Sequence, residues 1–304
     1  MLIAGPNLTI DRTQYIDEIR PGDVLRFRRV EVTPGGKGVN VARVARAFGH
    51  VAVLIGFAAG RTGAAVTRMI ADEGLRLVDV SIGGEIRATS VVIEDSGRTT
   101  VFNEPGPALA AGDWTAFEES VLEYATGHRV LALCGSVPPE APIDAYARLV
   151  AIGRDAGLTT IVDATGLLLE AAVAAGPDIV TPNLVEARLA LDEDGLDPGG
   201  AAERLCGRGA AAAIVTDGGR GLALRVDGET EWIPAPRVEV RNGVGAGDSL
   251  VAGLGMALER GLGTREAALQ GMAAAVASVE TDVAGEVRPE RVAEIRRMLP
   301  GGDG

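Results

Sequence analysis

Arg241-Asn242-Gly243-Val244-Gly245-Ala246-Gly247-Asp248-Ser249-Leu250-Val251-Ala252-Gly253-Leu254 sets three glycines within five positions, directly ahead of an apolar-periodic run. Without Cβ atoms in the way, neighbouring N–H groups can converge on one ligand. Leu250, Val251, Leu254 and Leu258 recur at helical spacing, so the turn is expected to open a helix. The start of a helix carries unpaired donors and a positive dipole end, which together bind an anion. Asp248 falls in that first turn. A hole for developing negative charge beside a carboxylate suits phosphoryl transfer, because the carboxylate can take a hydroxyl proton. A plain N-cap aspartate after a Gly-rich turn fits the same spacing.

Composition supplies a second clue. Of the 29 basic residues only one is a lysine, Lys37. It stands in Thr33-Pro34-Gly35-Gly36-Lys37-Gly38-Val39-Asn40-Val41-Ala42, where glycines again lead into a helical pattern (Val41, Val44, Ala45, Phe48). This is either a second ligand-binding turn or a loop with one exposed lysine. The net charge of −13 argues against nucleic acid or an anionic membrane as partner, since both require a basic surface. An anionic small substrate therefore needs a locally basic pocket. Cys134 and Cys206 lack metal spacing and read as reduced thiols, and His50 and His128 read as surface turn residues. No signal peptide or spanning segment is evident, so a cytoplasmic location is expected.

Short β-type runs alternate with helical patterns along most of the chain. Strands are expected at 51–57, 130–134, 160–163, 179–181, 212–216 and 222–226, with helices at 62–73, 143–156, 167–175, 185–192 and 198–207. Three further helices, 247–260, 264–281 and 289–298, close the chain. Continuous apolar strands separated by helices predict an α/β fold, with a mainly parallel central sheet covered by helices on both faces. Two regions break the rhythm. Residues 24–32 alternate with period two, putting Arg26 and Arg28 on one face and Leu25 and Phe27 on the other. Residues 88–94 and 99–103 flank the hairpin signal Asp95-Ser96-Gly97-Arg98. Both are expected to join a small antiparallel β lid, drawn from about residues 9–34 and 84–105 of a single domain over 1–304; an edge extension of the main sheet is the other reading.

Gly35-Gly36-Lys37-Gly38-Val39-Asn40-Val41-Ala42 and Asn242–Gly253 resemble the two signatures of the PfkB (ribokinase-like) carbohydrate kinases. Asn7, Asp11, Gly135-Ser136-Val137-Pro138-Pro139, Thr181-Pro182-Asn183-Leu184-Val185-Glu186 and Thr216-Asp217-Gly218-Gly219-Arg220-Gly221 follow in the family's order. The GGKGVNVA form and Phe102-Asn103-Glu104-Pro105-Gly106-Pro107 resemble the 1-phosphofructokinase and tagatose-6-phosphate kinase branch.

The resemblance implies transfer of the γ-phosphoryl group of ATP, with Mg²⁺, to a sugar hydroxymethyl. It implies Asp248 as base and Gly245, Ala246 and Gly247 as the anion hole. Asp11, Gly36, Asn40 and Ser136 would meet the sugar, with Lys37 near its phosphate or the transferred group. Thr216, Gly218, Gly219 and Gly221 would line the nucleotide beside Asn183, while Glu186 and Asn183 would manage Mg²⁺ through water; a helix cap explains that last pair equally well.

In this branch the lid strand carries Arg, then Asn two residues on and Lys four on, whereas this chain has Arg87, Thr89 and Val91. Recognition of a phosphosugar, with fructose 1-phosphate or tagatose 6-phosphate as the expected acceptor, would then rest on Arg87, Arg28 and Arg98, with Arg26 and Lys37. Solvated surface arginines are the alternative. A kinase of an unphosphorylated sugar or nucleoside remains open, as does a non-catalytic sugar-binding regulator. A dinucleotide-binding oxidoreductase is disfavoured, because the Gly turn lies near the C-terminus instead of after a first strand. The lid's apolar residues, Leu25, Phe27, Val92 and Val101, suggest a homodimer joined lid to lid.

Overall fold

The computed structural model describes residues 1–301. The chain opens with β1 (Leu2–Ala4), β2 (Thr9–Ile16) and β3 (Arg29–Gly35), then helix α1 (Lys37–Ala47). β4 (Val53–Ala59), α2 (Gly60–Asp72) and β5 (Arg76–Ile82) precede the hairpin β6 (Arg87–Glu94) and β7 (Thr99–Asn103). Next come α3 (Asp113–Tyr124), β8 (Val130–Cys134), α4 (Ala145–Asp155), β9 (Thr159–Asp163), α5 (Gly166–Ala174) and β10 (Ile179–Val180). α6 (Leu184–Leu191) and α7 (Pro198–Gly207) lead to β11 (Ala212–Thr216), β12 (Gly221–Val226) and β13 (Glu229–Pro234). α8 (Ala246–Glu259), α9 (Thr264–Ser278) and α10 (Pro289–Met298) follow. No helix among the described residues is long and apolar enough to cross a membrane.

The large sheet runs β13-β12-β11-β10-β9-β8-β1-β4-β5, parallel from β5 to β11. Continuous burial explains the apolar strands: all five residues of β8 are buried. β12 and β13 are antiparallel, because only Asp217–Arg220 separates β11 from β12, too short for a crossover. Short or charged sequences hid β1, β5, β13 and α3 from the pattern reading. His50 and His128 are half-buried rather than surface turn residues: both bond the amino group of Met1 (3.2 and 3.1 Å).

The small sheet runs β3-β2-β6-β7. Two antiparallel hairpins, β2–β3 and β6–β7, meet through a parallel joint that pairs Thr9 with Arg87 and Asp11 with Thr89. The alternating strand expected from residue 24 begins only at Arg29. β3 pairs with β2 no further than Tyr15↔Arg29, so residues 24–28 have no ladder partner and form no basic face.

α8 and α9 cross in close contact at two glycines. A Cβ on Gly253 would lie 2.8 Å from the Gly271 Cα, and one on Gly271 would lie 2.6 Å from the Leu250 carbonyl. The start of α8 is thus held against the buried α9, which fixes the Gly turn in space.

Candidate active site

Parallel strands end at one edge of the large sheet, where loops after β1, β8, β9, β10 and β11 converge on the starts of α1 and α8. Ligand sites of open α/β sheets lie at such carboxyl ends. Two cavities, of about 590 and 500 Å³, adjoin there and share Thr216, Gly218, Gly243, Ala246 and Gly247. Asp248 faces only the larger one.

The turn predicted to open a helix does so. Gly245 caps α8 in a left-handed conformation (φ 83°), and Ser249 closes the first turn by donating its N–H to the Gly245 carbonyl (2.9 Å). Gly247 has ordinary helical backbone, so an alanine there would cause no strain. Its Cβ would stand in open space where the cavities meet. Gly247→Ala is therefore expected to lower kcat while leaving the melting temperature unchanged; equal kcat in a folded variant would place the anion hole elsewhere.

Asp248 is buried and accepts a hydrogen bond from the Asn40 amide (2.8 Å). Burial pushes its carboxyl up to about 7; Lys37 and the Asn40 bond pull it down, while Asp163 and Asp11 push it further up. Lys37 lies across the cleft with its ammonium on both oxygens of Asp163 (2.9 and 3.1 Å). Burial works against the Lys37 charge, but Asp163, Asp248 and Glu186 outweigh it and hold the ammonium above the ordinary lysine value. The second Gly turn is thus not a loop with an exposed lysine: Gly36 caps α1 (φ 105°) and Lys37 enters the cleft.

The small sheet supplies the opposite wall. Asp11 is pushed up by burial, its Oδ1 has no partner, and its carboxylate packs over the Gly35 backbone. Arg87 donates Nη2 to the Asn7 carbonyl (3.2 Å), but its buried Nε has no partner among the described residues, and burial lowers its pKa. Two unsatisfied groups of opposite charge on one wall are what a sugar bearing hydroxyls and an anionic group would satisfy. Thr89, Val91 and Asn103 line the same wall, with Thr89 bonded to Thr9 and Asn103 (both 3.1 Å). Ser136 reaches the cleft with its hydroxyl accepting from Asn7 (2.9 Å).

Arg28 and Arg98 do not join the site. Arg28 bridges Asp17 and Asp95, and Arg98 pairs with Glu94, all at the far end of the small sheet, so neither has a free charge to offer a substrate. Arg26 lies exposed in the unpaired segment.

Asn183 and Glu186 form a capping box on α6: Asn183 Oδ1 accepts the Glu186 N–H and Glu186 Oε2 accepts the Asn183 N–H (both 2.9 Å). Both also line the larger cavity, so cap and site coincide. Burial raises Glu186, with Lys37 opposing. Among the described residues no three His, Cys, Asp or Glu side chains gather to hold a metal unaided. Mg²⁺ keeps most of its waters and takes phosphate oxygens, so a single carboxylate suffices, and Glu186 on the wall of the larger cavity fits that demand.

Thr216 and Gly218 border both cavities; Gly219 and Gly221 border the smaller one, whose remaining wall is apolar (Leu222, Val238, Val240, Met272, Val276, Val279) apart from Arg237. Such a slot accepts a flat aromatic base. Sequence reading missed this wall, because its residues read as ordinary core, and it missed Asp163. A carboxylate closing an apolar parallel strand was the available signal.

The model of the pfkB family of carbohydrate kinases matches residues 7–291, and the chain belongs to that family. It is a carbohydrate kinase of ribokinase-like fold. It is 32% identical to ATP-dependent 6-phosphofructokinase isozyme 2 of Escherichia coli K12 over 277 residues, covering 89% of each chain. To 1-phosphofructokinase of Rhodobacter capsulatus it is 31% identical over 303 residues, covering 96% of this chain and 94% of the relative. The crystal structure of Escherichia coli phosphofructokinase-2 in complex with fructose-6-phosphate superposes with a TM-score of 0.89 at 27% identity, covering 98% of both chains.

Proposed function

We propose that this kinase transfers the γ-phosphoryl group of ATP to a hydroxymethyl of a phosphofructose, with fructose 1-phosphate as the leading acceptor. The carrying observation is the pair of adjoining cavities that meet at the start of α8, with Asp248 on one side only. ATP would lie in the apolar slot and the sugar between Asp11, Arg87 and Asn40. Asp248 takes the proton as the acceptor oxygen bonds to phosphorus and the bond to ADP breaks. The N–H groups of Ala246 and Gly247 would hold the moving phosphoryl. Mg²⁺, held through water by Glu186 and Asn183, would neutralise phosphate charge. Lys37, fixed by Asp163, adds one mobile-free positive charge to that end of the cleft.

A coupled ADP-release screen against fructose 1-phosphate, fructose 6-phosphate, tagatose 6-phosphate, fructose, ribose and adenosine tests the assignment. Preference for fructose or adenosine would transfer it to the second reading, an unphosphorylated acceptor. That reading draws on Val91, which lines the cleft where the branch carries lysine.

The base must be ionised to act. With Asp248 pushed up to about 7, kcat/KM should rise with pH through about 7 and level off above it. A rate flat from pH 5.5 to 8 would contradict this assignment.

We further propose that residues 9–34 and 84–105 act as a lid of one kinase domain, and that two lids pair in a cytoplasmic homodimer. The apolar face differs from the one expected: Val101 shares the face of Asp11 and lines the larger cavity, Val92 is buried, and Leu25 and Phe27 precede β3. Val30, Val32 and Phe102 lie on the face opposite Asp11 and Thr89, and are 42, 39 and 56% exposed. Sedimentation should show a dimer at micromolar concentration that Phe102→Asp dissociates; a wild-type monomer would refute it.

A further inference from the structure

Arg43 stands one helical turn after Asn40 on α1, outside both cavities, yet all five of its guanidinium donors are used. Nε and Nη2 grip Glu73 at the end of α2 (2.8 and 2.9 Å). The other donors reach three separate places. Nη1 donates to Asn40 Oδ1 (2.9 Å) and to the Ala284 carbonyl (3.1 Å), and Nη2 donates to the Pro34 carbonyl (3.1 Å). Each of these adjoins a residue of the candidate site. Asn40 donates to Asp248, Pro34 ends the strand that enters the small sheet, and Ala284 backs onto Gly245, where a Cβ would lie 3.1 Å from its own.

A side-chain amide can turn over, exchanging its oxygen and nitrogen. At Asn40 the turned amide would aim oxygen at the Asp248 carboxylate and its N–H₂ at a guanidinium, which has no acceptor. Both contacts would be repulsive, so Arg43 permits one orientation only. A salt bridge to Glu73 alone would need two donors; the other contacts are unnecessary for that purpose.

We propose that Arg43 is a positioning residue for phosphoryl transfer: held by Glu73 and by the Pro34 and Ala284 carbonyls, it locks the Asn40 amide toward Asp248. The proposal rests on Asp248 being the base. No other lysine or arginine can substitute, since the contacts need a planar fork reaching four chain segments.

Arg43→Lys keeps the charge beside Glu73 and Asp11 but loses the fork. It is expected to lower kcat roughly ten- to a hundredfold, the scale of a small misplacement of reacting groups, with KM for ATP unchanged. Asp248 is faced by Lys37 and Asn40 from α1, Asp163 from β9 and Asp11 from β2. Of these groups only Asn40 is oriented by Arg43, so loosening its bond to Asp248 should move the pH midpoint of kcat/KM upward. Glu73→Gln is the structural control: it should lower the melting temperature and leave kcat and midpoint alone. In an Asn40→Ala background, Arg43→Lys should add little further loss, a comparison that also holds if the single variant folds poorly. Wild-type kcat and midpoint in Arg43→Lys, an equal kcat loss in Glu73→Gln, or additive losses in the double variant would each overturn the proposal. An active Asp248→Asn would instead remove the base on which it rests; an inactive Asp248→Asn with normal Arg43→Lys would remove this proposal alone.

Discussion

Asp248→Asn is expected to lower kcat by about 10²- to 10⁴-fold, the usual contribution of a positioned general base, with MgATP affinity staying within a few-fold. The asparagine keeps an oxygen for the Asn40 amide, so the geometry survives and only proton acceptance is lost. Stability should move the other way. A carboxyl raised from 3.8 to about 7 is favoured by the fold in its protonated form. That contribution is present below pH 4 and lost as pH rises through 7, leaving a penalty of about 4 kcal/mol or less above it. At pH 8 the variant should therefore melt higher than wild type, and at pH 4 the gain should vanish. Turnover within tenfold of wild type would end the assignment of Asp248 as base.

Arg87→Ala is expected to raise KM for the proposed phosphosugar by one or more orders of magnitude and to change KM for ATP little. The guanidinium is held by a single bond to the Asn7 carbonyl and presents an unpartnered, buried Nε on the acceptor wall. A charge-assisted bond is worth about 1.5–3 kcal/mol, which sets the scale. Arg28 and Arg98 are engaged by Asp95 and Glu94, and among the described residues Arg87 is the arginine that lines the larger cavity. Equal turnover of fructose and fructose 1-phosphate by the wild type would show that Arg87 meets something other than a phosphate.

The two Gly turns were legible because their chemistry is local. Glycine spacing followed by a helical apolar period specifies a helix start whatever surrounds it, and Gly245 and Gly36 both became caps. Alternating apolar strands and helices likewise announced the parallel sheet. Partnership was not legible. Whether an arginine faces substrate or a carboxylate depends on residues far along the chain: Arg28 and Arg87 look alike in sequence, yet Asp95 takes the first and leaves the second. Asp163 was hidden for the same reason, since its role arises from Lys37, 126 residues away. The 24–28 segment alternated convincingly, but alternation without a partner strand makes no sheet.

The parallel joint between β2 and β6 places different demands on different stretches of chain length. Asp11 comes from one hairpin and Arg87 and Thr89 from the other, and a single pairing register holds all three on the acceptor wall. One residue inserted within Thr9–Ile16 or Arg87–Glu94 would turn the side chains beyond it to the opposite face. The 17–28 connection and the Asp95–Arg98 tip lie outside that register and can lengthen or shorten freely. The small sheet can therefore change size at its connections, while its register fixes the spacing from Asp11 back to Thr9 and from Thr89 back to Arg87.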